Sequence, residues 1–345
     1  MIEYRQGNLL EADAEALVNT VNCVGIMGKG IALQFKMAFP DNYREYQQAC
    51  RRGEVQLGRI FTVDRGGLGQ RPRLIFNFPT KQHWKSNSKL EDIANGLEDL
   101  VCELRRYGVT SVAVPPLGCG LGGLDWSEVK PLIEHAFAEV LDVQVLVFTP
   151  KGAPAADTMP VATVKPQLTR ARALILSLME FYGFAGYELT FLEIQKLAYF
   201  LQEAGEPLRL DYAKAKFGPY AHNLNHVLER LEGHYIRGFG GARSDATVVL
   251  LPTAMTEAGE VITGSKTARE RLERVRRLIQ GFETPYGMEL LATVHWGAKA
   301  DREAASDFDR AFAAVENWSA RKKWLFKPEH VRKAWERLRD ERWIG

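Results

Sequence analysis

The sequence predicts a three-layer α/β/α domain with a mixed sheet at residues 1–150, a linker at 151–167 and a mainly helical domain at 168–345. Three observations carry this expectation. A chain of 345 residues is more than twice a typical domain, so a single core is not expected. Up to Pro150, short apolar or β-branched runs alternate with helical periods. The run from Pro150 to Pro160, with three prolines, then interrupts both patterns, and helical spacing dominates beyond it.

Taken in order, an opening strand near Ile2 is followed by strands at 16–21, 59–63, 73–78, 111–114 and 143–148, each a short run of strand-forming residues. A helix is expected at 31–39. The clearest helix spans 90–107, where Leu90, Ile93, Ala94, Leu97, Leu100, Val101 and Leu104 form one apolar stripe and Gly108 is placed to end it. Another begins near Trp126. Strands covered by helices on both faces place a ligand crevice beyond their carboxyl ends. In the second half, helices are expected at 168–182, 191–203 with Thr190 as N-cap, 220–231, 268–282 and 328–339, with one β-like run at 247–251.

Composition narrows the function without naming it. With 46% hydrophobic and 26% charged residues and no apolar run near 20, the chain reads as globular and neither membrane-spanning nor disordered. The start, Met1 to Arg5, carries no secretory or lipidation signal, so a cytoplasmic location is expected. Cys23, Cys50, Cys102 and Cys119 show no metal spacing, and reduced thiols with no metal are expected. The net charge of +2 hides a small asymmetry: 17 Lys and Arg against 19 Asp and Glu in residues 1–160, and 28 against 24 in the rest. Any nucleic-acid contact must therefore come from a local basic patch.

Two glycine-bearing loops follow predicted strands. The first, from Asn19 to Gly30, holds Asn22, Gly25, Gly28, Lys29 and Gly30 and runs into the helix at Ile31, whose N-terminus suits a phosphate or ribose. The second, from Pro115 to Asp125, has Gly118, Gly120, Gly122 and Gly123, so backbone amides can approach a diphosphate closely. Either loop alone is as readily a tight turn; two in one α/β unit shift the balance towards a ligand.

Together with Gly7-Asn8-Leu9-Leu10 after the first strand, these loops make residues 1–150 resemble the macrodomain family, the ADP-ribose-binding module. The stretch from Val21 to Lys36, the run Asn77-Phe78-Pro79-Thr80-Lys81 and Gly118-Cys119-Gly120-Leu121 resemble, more narrowly, the branch of terminal ADP-ribose glycohydrolases and DarG antitoxins. The resemblance implies that Asn22, Gly28 and Gly30 hold the distal ribose, that Gly118 and Gly120 hold the diphosphate, and that Asn8 reads adenine. Leu9, Lys29, Ile31, Thr80, Cys119, Leu121 and Gly122 fall on the same ligand loops. Many macrodomains have an aspartate in place of Asn8, accepting from the adenine amino group; an amide can accept through its oxygen. No cofactor is implied.

Lys81 carries the catalytic expectation. The run 73–78 reads as a buried strand that Pro79 and Thr80 break, placing Lys81, His83 and Lys85 at its exposed end. The resemblance implies that Lys81 attacks or polarises the anomeric carbon of the distal ribose. Attack requires a neutral amine, hence a pKa lowered by burial or by nearby cations such as Lys29, Lys85 or protonated His83. Eukaryotic-type relatives carry an aspartate where this chain has Gly122, which leaves the second catalytic group open. Asp125 is a candidate, equally placed to cap the helix at Trp126; His83 is another; a third possibility is no dedicated partner.

The DarG resemblance further implies an N-glycosidic substrate, ADP-ribose on a base of single-stranded DNA, thymine in the better-known subgroup, and a DarT-like ADP-ribosyltransferase toxin as partner. From Lys81 to Lys89 the chain interleaves Lys81, His83, Lys85 and Lys89 with Trp84, a mixture suited to phosphates and stacked bases, though it also reads as a basic loop with Trp84 packed inward. Two other readings share the pocket: a non-catalytic ADP-ribose reader that neutralises its partner by contact, and a hydrolase of protein-linked ADP-ribose or O-acetyl-ADP-ribose. In the second half, the segment from Glu193 to Phe200, Gly205 and Lys216-Phe217-Gly218-Pro219-Tyr220 resemble the Panacea domain of SocA-like antitoxins, which implies toxin binding. His222 and His226 lack the intervening glutamate of a metal motif. A DNA mimic would need acidic stripes, for which Glu229, Glu232, Asp301, Glu303, Asp307 and Asp309 are the candidates in a half that is slightly basic.

Overall fold

The apolar runs of the first half pair into one six-stranded sheet. In the computed structural model, which describes residues 1–66, 71–138, 140–150, 159–183, 187–240 and 247–345, the strands are β1 (Ile2–Arg5), β2 (Ala16–Asn22), β3 (Phe61–Asp64), β4 (Leu74–Lys81), β5 (Ser111–Val114) and β6 (Gln144–Phe148). Their order is β1-β6-β5-β2-β4-β3. Every pair is parallel except β3 with β4, at the edge, so the sheet is mixed as expected.

Helices α1 (Gly30–Ala38), α2 (Pro40–Arg51), α3 (Leu90–Tyr107) and α4 (Trp126–Phe137) cover both faces. Alternate residues along each strand point to opposite layers. Val18, Phe76, Val112 and Val145 pack with Leu97 and Leu100 of α3 and Ile133 of α4, whereas Leu17, Ile75, Ala113 and Leu146 pack with Phe35 of α1. α3 has the predicted bounds and ends at Gly108, whose φ of 60° lies in the left-handed region.

The expected break at Pro79 does not occur: β4 continues through Pro79 and Thr80 to Lys81. The reason is register. β3 begins opposite Asn77 and runs back towards Leu74, so no β3 residue pairs with Pro79 and none requires the N–H that it lacks. The first unit also reaches further than residue 150. Met159 is buried in its core, the Ala162 N–H donates to the Met37 carbonyl, and of the two compact units into which the chain divides the first holds Met1–Val164 together with Gly240, whose carbonyl accepts the Gly30 N–H at 2.6 Å. Residues 151–158 of the expected linker lie outside the described residues.

The second unit contains α5 (Arg170–Tyr182), β7 (Leu189–Thr190), α6 (Phe191–Glu203), β8 (Tyr212–Ala215), β9 (Gly218–Ala221), α7 (Leu224–Leu231), β10 (Ile236–Arg237), β11 (Thr247–Leu250), α8 (Pro252–Thr263), α9 (Lys266–Ile279), α10 (Pro285–Ala300), α11 (Phe308–Glu316), α12 (Ala320–Leu325) and α13 (Pro328–Asp340). α6 opens with the expected cap: the Thr190 N–H donates to Glu193 Oε2 at 2.7 Å in a capping box. Residues 220–223, expected to open a helix, instead close the β8–β9 hairpin and lead into α7. α10, which the periodicity does not reveal, is buried nearly all round through Met288, Leu290, Leu291, Ala292 and Val294, so it has no polar face to give it a period. No helix among the described residues is long and apolar enough to cross a membrane.

This unit buries several charges. Lys322 donates to Glu289 Oε1 at 2.6 Å and to Thr293 Oγ1 at 2.9 Å, and Arg321 donates to both Glu289 oxygens at 2.6 and 3.2 Å. Lys196, also buried, donates to the Pro219 carbonyl at 2.6 Å, and burial draws its pKa from 10.5 down to about 7. The unfolded chain therefore holds one more proton than the fold between those values, so this group makes stability rise as pH climbs from about 7 towards 10.5. Lys196→Met should flatten that rise; denaturation midpoints of both proteins at neutral and alkaline pH test it, and equal slopes would show that Lys196 stays charged.

Three of the acidic candidates for mimicry have partners within the fold, and Asp309 is exposed. Glu232 is buried and accepts the Gly238 and Phe239 N–H groups, Asp307 caps α11, and Glu303 pairs with Arg310.

Candidate active site

β5, β2 and β4 are consecutive parallel neighbours, so their carboxyl ends open side by side, each followed by one of the loops singled out above. The loops are tied to one another. The Cys23 N–H donates to the Gln82 carbonyl at 3.2 Å, and the Ser88 N–H donates to the Gly122 carbonyl at 2.9 Å.

Lys81, the last residue of β4, pairs in register with Asn22. It is only 8% exposed, not at an open strand end, and its Nζ donates to the Leu121 carbonyl at 2.5 Å. Burial holds its pKa below the ordinary lysine value. Of the expected cationic neighbours, Lys85 lies over the Trp84 ring at 4.9 Å, and His83 Nδ1 accepts the Lys85 N–H at 3.2 Å. Trp84 is 46% exposed, which overturns the inward-packed reading of that loop.

The second glycine loop leaves no space for a side chain at Gly122. A Cβ there would lie 2.3 Å from the Gly118 carbonyl oxygen and 2.4 Å from Ser88 Oγ. Gly118 is equally constrained, with φ of 71° and Leu124 Cδ1 at 2.7 Å from a Cβ, whereas Gly120 faces open space. Asp125 caps α4, its Oδ1 accepting the Ser127 N–H at 2.8 Å and the Ser127 hydroxyl at 2.6 Å. Those two bonds hold its pKa below the usual carboxylate value. Cys119 stays a thiol, its pKa raised to about 11 by burial.

The other ligand candidates divide by exposure. Gly28, Lys29, Gly30 and Ile31 form the accessible entry to α1. Leu9 is buried in the core with Leu10, and buried Thr80 donates to the Val21 carbonyl at 3.4 Å, so their side chains face the fold. Asn22 shapes its own loop: Nδ2 donates to the Ile26 carbonyl at 2.6 Å, and Oδ1 accepts the Val24 N–H at 3.0 Å. Tyr46, which sequence reasoning missed, donates to the Asn22 carbonyl at 2.6 Å. Beneath the site, Asn19 and Asn42 both donate to Asn77 Oδ1, at 2.9 and 3.2 Å, linking β2, β4 and α2. Asparagines inside apolar β-runs were the available signal.

Residues 18–133 match the family model described as the Macro domain. A DNA ADP-ribosyl glycohydrolase of Thermus aquaticus is 51% identical over 98% of this chain and 93% of its own length. The chain belongs to the DNA ADP-ribosyl glycohydrolase family. A second such glycohydrolase, from Mycobacterium tuberculosis, is 42% identical over 98% of this chain and 99% of its own. A Thermosipho africanus protein, described as a DNA ADP-ribosyl transferase–DNA ADP-ribosyl glycohydrolase fusion, is 35% identical over 42% of this chain and 41% of its own. Membership of the DNA ADP-ribosyl glycohydrolase family extends through the helical unit as well as the macrodomain, since the first two matches span both.

Proposed function

We propose that this chain releases ADP-ribose from thymidine in single-stranded DNA, as the cytoplasmic antitoxin of a DarT-like ADP-ribosyltransferase that its helical unit binds. The observation that carries the reading is the buried amine of Lys81 at the meeting point of the three loops, held by a carbonyl and, among the described residues, by no carboxylate. Family membership supports the reaction, and the fused transferase in one relative supports the partner.

In this mechanism the glycine loops hold the diphosphate and distal ribose, which brings the anomeric carbon to Lys81. The neutral amine attacks that carbon as the ribose–base bond breaks; the base leaves with the electron pair and takes up a proton. Water then cleaves the lysine adduct, giving free ADP-ribose and regenerating the amine. Trp84 and Lys85 at the rim suit stacking and phosphate contact with the strand. With Gly122 in the loop and Asp125 held as a cap, Lys81 works with water and substrate groups.

The test is incubation with single-stranded DNA carrying ADP-ribosylated thymidine, beside protein-linked ADP-ribose and O-acetyl-ADP-ribose. Unmodified strand and free ADP-ribose are expected, with the DNA substrate cleared fastest. Binding without turnover would favour a reader.

Adenine recognition yields a smaller prediction. Asn8 Oδ1 already accepts the Leu10 N–H at 3.1 Å, while its Nδ2 is buried with no partner among the described residues. The group left for a base is therefore a donor, suited to an acceptor on the purine edge. Asn8→Asp exchanges it for an acceptor and should shift the affinity ratio of ADP-ribose to inosine diphosphate ribose towards adenine by about fivefold, roughly 1 kcal/mol. Calorimetry with both ligands reads the ratio; no change would remove Asn8 from base recognition.

A further inference from the structure

The helical unit displays an aromatic surface set among cations. Trp324 is 82% exposed and Phe217, at the tip of the β8–β9 hairpin, is 40% exposed. Tight turns favour glycine, asparagine or aspartate, and a tryptophan left in water forgoes a large burial gain, so neither placement serves the fold. The segments that carry them, residues 212–219 and 319–328, contain six Lys and Arg and no Asp or Glu.

These segments form one platform. Trp318 Nε1 donates to the Ala215 carbonyl at 2.9 Å, and Lys214 lies 4.9 Å over the Trp318 ring. The Arg321 guanidinium lies 4.8 Å over the Phe217 ring, while its nitrogens are held by buried Glu289. Arg321 and Trp324 are three residues apart on α12 and share a face, with Lys327 three residues further on. Lys323 beside Trp324 reaches Glu316 at 3.4 Å. Below, buried Lys322 pairs with Glu289 at 2.6 Å, which fixes α12 beneath the face.

We infer that this face binds single-stranded nucleic acid, bases stacking on Trp324 and Phe217 and phosphates meeting Lys214, Lys216, Lys323 and Lys327. Exposed rings with cations between them match a flexible polyanion that has π-faces; an acidic protein surface would use the cations and leave the rings without a purpose. The platform is preorganised by the Glu289 network, so little ordering opposes binding. The inference is independent of the glycohydrolase reading, because an unmodified strand carries no ADP-ribose.

The experiment measures fluorescence anisotropy of a labelled, unmodified oligothymidine with the full chain, at low and physiological salt. The wild type should bind with an affinity that falls steeply with salt, and Trp324→Ala and Lys216→Glu should each weaken binding about tenfold. Melting temperature and turnover of an ADP-ribosylated mononucleotide should be unchanged in both variants. Equal strand affinity in all three proteins, or no strand binding by the wild type, would overturn the proposal. Variants that lose a purified transferase partner while the wild type ignores the strand would overturn it in favour of a protein-docking face.

Discussion

Lys81→Ala should lower the release of ADP-ribose from modified DNA by about a thousandfold or more, the scale on which a positioned reacting group acts. ADP-ribose itself should still bind within a few-fold of the wild type, because the second glycine loop is also held by the Ser88 N–H on the Gly122 carbonyl and the Leu124 N–H on the Gly118 carbonyl. Lys81→Arg should be as inactive, since a guanidinium stays protonated and cannot offer a lone pair. The pH dependence has a definite sign. Burial lowers the Lys81 pKa, and the neutral amine is the active form, so the rate rises with pH and levels off below the pH at which an ordinary lysine titrates. Single-turnover rates on a modified oligonucleotide across pH measure both effects. Wild-type turnover in Lys81→Ala would remove the amine from the mechanism.

Gly122→Asp, which places an aspartate where the eukaryotic-type relatives have one, should impair this protein. The obstacle lies at Cβ: the Gly118 carbonyl oxygen is 2.3 Å from it, and that carbonyl is held by the Leu124 N–H at 3.1 Å. Ser88 Oγ can rotate away, but the backbone cannot yield without opening the loop that meets Lys81. An overpacked site of this kind costs about 1–3 kcal/mol, and turnover should fall by about tenfold or more as the Leu121 carbonyl shifts. Gly122→Ala should behave alike, since the clash precedes any carboxylate. Thermal melts and turnover of both variants decide it; a gain in rate with aspartate alone would show that the loop accepts a carboxylate.

Local signals were legible wherever their cause was local. The stripe of α3, the glycine that ends it, the Thr190 capping box and the glycine loops all depend on residues a few positions apart. Lys81 was legible as a candidate, but its burial was not, because that depends on its register with Asn22 of β2 and on Leu121, which comes 40 residues later in the chain. The steric demand at Gly122 was hidden for the same reason, since Ser88 and Gly118 meet only in the fold. Asp125 could be read as a cap or as an acid from its position before Trp126; the two Ser127 bonds favour the cap. α10 escaped notice because burial on every side erases the periodicity by which helices are read.

The most direct test is the structure of the protein with ADP-ribose bound. The account predicts the Lys81 amine released from the Leu121 carbonyl and within about 3.5 Å of the anomeric carbon of the distal ribose, the separation from which attack begins. An amine pointing away from that sugar, or still bonded to the Leu121 carbonyl with the ribose out of contact, would contradict it.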